Sequence, residues 1–410
     1  MAADEKNHSK LITMQASLTI KNKRIESIDL LRGIIMIIMA LDHTRDFFHK
    51  GALTGDPLNA ESTTSILYFT RWVTHFCAPT FVFLSGLSAW LQSGRKSKKE
   101  LSLFLITRGL WLIFIDLTIM SLVFSADIHF SIFTLETLWS IGAGMILLGI
   151  VLYLPYSMIL ALGLLIVFGH NLMDYGEQAR NGAVPLWWSF LHRPTFQPLW
   201  GDHNLFIFYP FLPWAGLTLL GYCCGKLFTD MDFEKRKKIL LSMGIGAIVF
   251  FVALRFSNSY GNPTQWVPQK NALRTFFSFM NVQKYPPSLL FMCATIGPIL
   301  VFLAFIKNTG SVWVKRVSVY GRVPLFYFIV HFFVLHVAAI IVYLLRGHSV
   351  SEGMAGAPGV PFKFAAPGEG VRLLAVYGIW IVLVLLMYPI CKWYDAYKTS
   401  HKEKKWLSYL

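Results

Sequence analysis

The chain has 410 residues, 55% of them hydrophobic and only 14% charged, with a net charge of +15 and a mean hydropathy of +0.53. That balance excludes an ordinary soluble globular domain. The Lys and Arg residues lie in short clusters between apolar stretches, a distribution that fits membrane topology and argues against nucleic acid as a partner.

The first 26 residues are polar and basic, with Lys6, Lys10, Lys21, Lys23 and Arg24, and no small-x-small cleavage motif follows the next apolar run, so the first span is expected to be retained. Spans need about 20 apolar residues. On that measure ten helices are expected, at 27–48, 66–92, 104–126, 135–154, 156–171, 205–226, 239–257, 288–306, 319–345 and 371–391. The fold class is therefore all-α, a polytopic transmembrane helix bundle of about ten spans. The fourth and fifth segments are separated only by Leu154-Pro-Tyr156, where the proline sets a turn or a kink.

With ten spans, one side receives residues 1–26, 93–103, 226–238, 307–318 and 392–410, which hold 22 of the 37 Lys and Arg. Basic connections stay in the cytoplasm, so both termini are expected there. The organisation is then a cytoplasmic basic segment (1–26), a transmembrane domain (27–391) and a cytoplasmic basic tail (392–410). The long connections 172–204, 258–287 and 346–370 fall on the other side, rich in Pro, Gly, Trp and Asn, as suits a binding vestibule. All five cysteines, Cys77, Cys223, Cys224, Cys293 and Cys391, lie in or beside apolar segments and read as packing residues.

Chemistry is expected first on the opening helix. It begins Ser27-Ile-Asp-Leu-Leu-Arg-Gly33, runs apolar to Leu41 and ends in Asp42-His-Thr-Arg-Asp46. Ionisable groups in such a segment are costly in lipid and face a cavity or a partner. His43 and Asp46 are three apart, as are Asp42 and Arg45, so each pair shares a helix face, and Asp46 is placed to orient a His43 general base. On the second helix Arg71 and His75 are four apart, near the same depth as His43, and Pro79 introduces a kink. Lys284, in Lys284-Tyr-Pro-Pro-Ser288, is an available cation for an anionic ligand. His331, on a ninth helix that enters through Gly321-Arg322, lies nearly mid-membrane. No HExxH, CxxC, P-loop or GxSxG pattern is present, so no metal is expected, and neither ATP-driven transport nor α/β-hydrolase chemistry has support.

Arg24-Ile-Glu-Ser-Ile-Asp-Leu-Leu-Arg-Gly33 and Pro79-Thr-Phe-Val-Phe-Leu-Ser-Gly86, with Lys284-Tyr-Pro-Pro-Ser-Leu-Leu290 and Gly321-Arg-Val-Pro-Leu-Phe326, resemble heparan-α-glucosaminide N-acetyltransferase and its bacterial relatives among the transmembrane acyltransferases. The resemblance implies a membrane enzyme, in a bacterial inner membrane, that takes an acetyl group from cytosolic acetyl-CoA and gives it to an amino sugar or glycan on the far side. On that alignment His43 stands where the lysosomal enzyme has an asparagine, and that enzyme's proposed catalytic histidine lies in the following connection, where this chain offers His49. The order of preference for the base is His43, then His75, then His49. Arg32, Arg108 and Arg322 are expected at the CoA phosphates, with Asp29 paired to Arg32. Asp42, Arg45, Arg71, Lys284 and His331 are expected around the acceptor. Membrane lipids and the glycan acceptor are the expected partners, nucleic acid is not, and a second copy of the chain is a further candidate. The rival reading is a proton-coupled permease for a sugar or lipid-linked sugar.

Overall fold

The computed structural model describes residues 25–179, 184–307, 310–357, 360 and 362–408, so most of the basic segment 1–26 lies outside the described residues. Helix dominates. In chain order the helices are α1 (Glu26–Phe48), α2 (Ser65–Val73), α3 (Cys77–Ser93), α4 (Lys98–Ser125), α5 (Thr137–Val151), α6 (Tyr156–Gly169), α7 (Leu172–Ala179), α8 (Leu186–Leu191), α9 (Phe211–Thr229), α10 (Phe233–Ser257), α11 (Ala272–Met280), α12 (Leu289–Phe305), α13 (Val312–Arg322), α14 (Pro324–Leu345), α15 (Val350–Ala355) and α16 (Leu373–Ser400).

Every expected apolar segment contains helix. By length and composition, however, only α4, α9, α10, α14 and α16 among the described residues are individually fit to cross a membrane, and a sixth span results if the bent pair α6 and α7 is counted as one. The outer faces match that setting: α10 exposes Met243, Ile245 and Val249, and α16 exposes Ile381, Val382, Leu385 and Leu386. Apolar rows of this kind, left uncovered by the rest of the chain, are the surface that lipid covers.

The sequence accounts for most of the helix boundaries. Ser97 and Glu100 form a reciprocal capping box at the start of α4, while Thr64, Asp232 and Ser288 cap α2, α10 and α12 with their side-chain oxygens. Pro155 stands immediately before α6, so the fourth and fifth segments are two helices joined by a turn. Two expected helices are divided. The second is interrupted by a 3₁₀ turn at Thr74–Phe76, because Pro79 supplies no N–H to the carbonyl of residue 75. The ninth breaks at Val323, whose φ/ψ of −128°/50° leaves helical geometry before Pro324 opens α14.

The expectation of an all-α fold also needs correction. Three strands, β1 (Ile132–Leu135), β2 (Thr195–Trp200) and β3 (His203–Ile207), form a small sheet in the order β1-β3-β2, with β1 parallel and β2 antiparallel to β3. These strands are connections between helices, too short for an apolar-span criterion to register.

Two helix crossings are set by glycine. A Cβ added at Gly33 would stand 2.1 Å from the Val317 carbonyl oxygen, and one added at Gly321 would stand 1.9 Å from that of Asp29, so α1 and α13 meet backbone to backbone. The same holds for α3 and α9 at Gly86 and Gly221, where the added atoms would lie 1.9 Å and 2.0 Å from carbonyl oxygens. Alanine at Gly33 or Gly321 should therefore force the helices apart at a cost of about 1–3 kcal/mol. Thermal unfolding in detergent should show a lower transition for Gly33→Ala and Gly321→Ala. Gly246→Ala, where nothing lies within 4 Å, should be neutral or stabilising.

Candidate active site

One cavity of about 1070 Å³ lies within the helix bundle, and its lining has two chemically distinct ends. Both are set by α1, which carries Arg32 to one and His43 to the other. They are eleven positions apart, about 16 Å along the helix axis.

At the first end the wall holds Arg32, Lys96, Arg108, Arg322, Lys398 and Lys402, and among the described residues no carboxylate joins them there. Arg32 is fixed from three directions: Asp29 at 3.5 Å, the Leu84 carbonyl at 3.5 Å and the Ser88 hydroxyl on α3. Asp29 thus pairs with Arg32 as expected, standing beside the cavity and not in its wall. Arg322 is held by Asp395 of α16 at 2.7 Å. The α1–α13 glycine crossing places Arg32-Gly33 against Gly321-Arg322, which brings two guanidinium groups from distant parts of the chain to one mouth.

At the other end the wall holds Asp42, His43, Arg45, Asp46, Arg71 and Lys284. Asp42 is the hub. Its two oxygens accept from Arg45 at 3.0 Å and from Arg71 at 2.8 Å, tying α1 to α2, and Arg71 also donates to Thr74 at 3.0 Å. Arg45 reaches Asp46 at 2.5 Å. Lys284 carries its charge into the same region without an ion-pair partner among the described residues, and its field acts on Asp42, His43 and Asp46.

Several expected roles are corrected by this geometry. Asp46 does not orient His43: its carboxylate is taken by Arg45, and His43 Nδ1 instead meets His331 Nε2 at 2.8 Å. His331 is fully buried behind the cavity wall, with its Nδ1 2.8 Å from the Tyr327 carbonyl, so it is not a wall group available to an acceptor. His75 does not converge with His43. Its ring is buried outside the wall, Nδ1 lies 3.2 Å from the carbonyls of Arg71 and Trp72, and the ring packs on Phe291. His75 stands within the 3₁₀ turn before Pro79, whose Thr74 lines the cavity while His75 does not. His49 lies in a separate side pocket of about 50 Å³, where its Nδ1 accepts from the Gly51 N–H.

Other groups in the wall are not singled out by the sequence. Glu136, Thr137, Tyr209 and Tyr285 line the histidine end, and Ser85 and Ser88 lie farther along. Glu136 is legible in principle, as a lone carboxylate at the start of the fourth apolar segment. Its position depends on Asp116, whose buried carboxylate accepts from the Glu136 and Trp139 N–H groups at 2.8 Å and so caps α5 from α4. The sheet brings in Phe206, and Phe208 follows directly after β3.

A second polar cluster lies away from the cavity. Asp174, Glu177 and His192 bring donor atoms within 4.8 Å of one another, a spacing a metal ion would tolerate. Hydrogen bonds already account for the arrangement: His192 contacts Glu177 at 2.8 Å and His170 at 3.0 Å, and Trp188 donates to Glu177 at 2.6 Å.

Residues 24–256, more than half of the chain, match the family described as heparan-alpha-glucosaminide N-acetyltransferase, catalytic. A comparison with curated individual proteins finds no match. The matched region carries Arg32, Asp42, His43, Arg71, Arg108 and Glu136, while Lys284, Arg322 and His331 lie beyond it. With its uncovered apolar helices the chain is an integral membrane protein, and it belongs to the heparan-alpha-glucosaminide N-acetyltransferase catalytic family of transmembrane acetyltransferases.

Proposed function

We propose that this protein transfers an acetyl group from acetyl-CoA, entering at the Arg32 end, to an amino sugar or other glycan entering at the His43 end. The observation that carries this reading is the single cavity whose one mouth gathers six cationic side chains and whose other holds a histidine beside a structured ion network. Arginine and lysine are the groups that bind phosphates, and CoA is rich in them. A thioester reaching inward from that mouth would arrive at His43, the wall residue whose imidazole can take up and return a proton.

The reaction then proceeds as ordinary acyl transfer. His43 removes a proton from the acceptor hydroxyl or amine as its electron pair attacks the thioester carbonyl carbon. The tetrahedral oxyanion forms within the fields of Lys284 and Arg71, which line the same end of the cavity. Its collapse breaks the C–S bond, and the proton held by His43 passes to the departing sulfur, yielding CoA thiol and the acetylated acceptor. Asp42 keeps Arg45 and Arg71 in place throughout.

In this reading the ten apolar segments cross the membrane ten times, with both termini and the arginine mouth facing the cytoplasm, where acetyl-CoA is made. The bias of 22 of 37 Lys and Arg to that side supports the orientation.

Purified protein given labelled acetyl-CoA and glucosamine or cell-envelope glycan should release CoA and label the acceptor. His43→Gln should lower turnover by about 10²- to 10⁴-fold, whereas Asp46→Asn and His75→Gln should each remain within about tenfold of the parent because neither side chain contacts the His43 ring. Substrate uptake without thioester cleavage would instead indicate the permease. Arg32→Gln and Arg322→Gln should raise KM for acetyl-CoA about tenfold or more, the scale of one lost charged hydrogen bond, while kcat changes less. A KM unchanged in both variants would remove CoA from that mouth.

A further inference from the structure

The contact between His43 and His331 determines more than packing. His331 Nδ1 lies 2.8 Å from the Tyr327 carbonyl oxygen, which only accepts, so Nδ1 carries a proton. If His331 is neutral, its Nε2 then has a lone pair facing His43 Nδ1 at 2.8 Å, and the proton in that contact belongs to His43. The opposite arrangement requires a cationic His331, fully buried and with no carboxylate in contact among the described residues, which is the costly alternative. The two hydrogen bonds therefore run in one direction, and His43 Nε2 is left with an open lone pair on a side chain that lines the cavity.

We infer that His331 is the positioning residue of the reaction, holding His43 as the Nδ1-protonated tautomer so that Nε2 is the nitrogen that takes the acceptor's proton. This rests on the acetyl-transfer reading above and specifies which atom does its chemistry. The other charged groups around His43 do not take part in fixing its tautomer. Asp42, Arg45 and Asp46 on α1 and Arg71 on α2 are engaged with one another. Lys284, ahead of α12, is a cation and accepts no proton from Nδ1. Phe332, with its ring centroid 4.1 Å from that of His43, and Phe328, at 6.3 Å, restrict the ring's rotation.

The arrangement differs from a histidine backed by a carboxylate. When Nε2 gains the acceptor's proton, the imidazolium faces a neutral ring at Nδ1 and not a negative charge. The proton is thus held less firmly and is readily surrendered to the leaving sulfur as the C–S bond breaks. Fast return of the proton matters because the base must also serve as the acid of the second half-reaction.

The test uses the full-length protein in detergent. His331→Gln supplies an amide oxygen that accepts from His43 Nδ1–H, and His331→Ala supplies nothing. With acetyl-CoA and glucosamine, His331→Ala should lower kcat by about 10- to 100-fold with KM for acetyl-CoA within about twofold, and His331→Gln should recover most of that loss. Histidine ¹⁵N spectra, with His43 assigned by its disappearance in His43→Gln, should show the parent ring protonated at Nδ1 and unprotonated at Nε2. A folded His331→Gln as slow as His331→Ala, an unimpaired His331→Ala, or a His43 ring protonated at Nε2 would each overturn the role. If the parent protein consumes no acetyl-CoA with any acceptor, the acetyl-transfer reading falls and this role with it. The spectrum separates that failure from a wrong tautomer.

Discussion

Helix α1 meets α13 through Gly33 and Gly321, and the rest of the site depends on that crossing. Because an added Cβ on either side would run into a backbone carbonyl at about 2 Å, the two helices are held at the smallest separation their backbones allow. Arg32 and Arg322 are direct neighbours of those glycines, so the contact fixes where both cations stand. Since α1 is a single unbroken helix, fixing Arg32 also fixes His43 about 16 Å farther along. The arginine mouth and His43 are thus two positions on one rigid rod.

What surrounds the rod follows from the expense of charge in a low-dielectric interior. Asp42, Arg45, Asp46 and Arg71 neutralise one another in a connected network, the arrangement in which buried ions are tolerated. That network serves as structure, pinning α2 to α1, and leaves Lys284 as a cation at that end without an ion-pair partner among the described residues. At the other mouth Asp29 holds Arg32 and Asp395 holds Arg322, so that two of the wall's guanidinium groups are fixed in place by carboxylates standing outside the wall. Beside this network His43 meets His331, and two neutral rings cost far less to bury than a charged one.

The helical scaffold was legible because apolar span length and Lys/Arg clustering are one-dimensional properties, and so were Arg32, Arg108, Arg322, Asp42, His43, Arg45, Arg71 and Lys284 as wall residues, since charge in an apolar segment needs a cavity. Pairings were much less legible. Asp46 at helical spacing from His43 was a sound candidate orienter, yet Arg45, adjacent in sequence, competes for the same carboxylate and wins by charge. His75 turns its ring onto the Arg71 and Trp72 carbonyls and Phe291, outside the wall, which shared depth could not reveal. His331 was visible as an ionisable mid-helix residue, but its partner stands 288 positions away, a relation that only the packing of α14 on α1 creates. The small sheet and the cap that Asp116 lends to α5 escaped for the same reason: both join segments whose local patterns are silent about each other.

The central claim is that one cavity carries the acetyl group from the arginine mouth to an acceptor at the opposite end. Its most direct test is transfer across a sealed membrane. Protein reconstituted into vesicles, with labelled acetyl-CoA supplied outside and glucosamine or glycan trapped inside, should accumulate labelled acceptor in the lumen, in proportion to the molecules whose arginine mouth faces outward, while the acetyl-CoA stays outside. Labelled product confined to the side that holds the acetyl-CoA, or an acetyl-CoA that itself enters the lumen before reacting, would contradict the account.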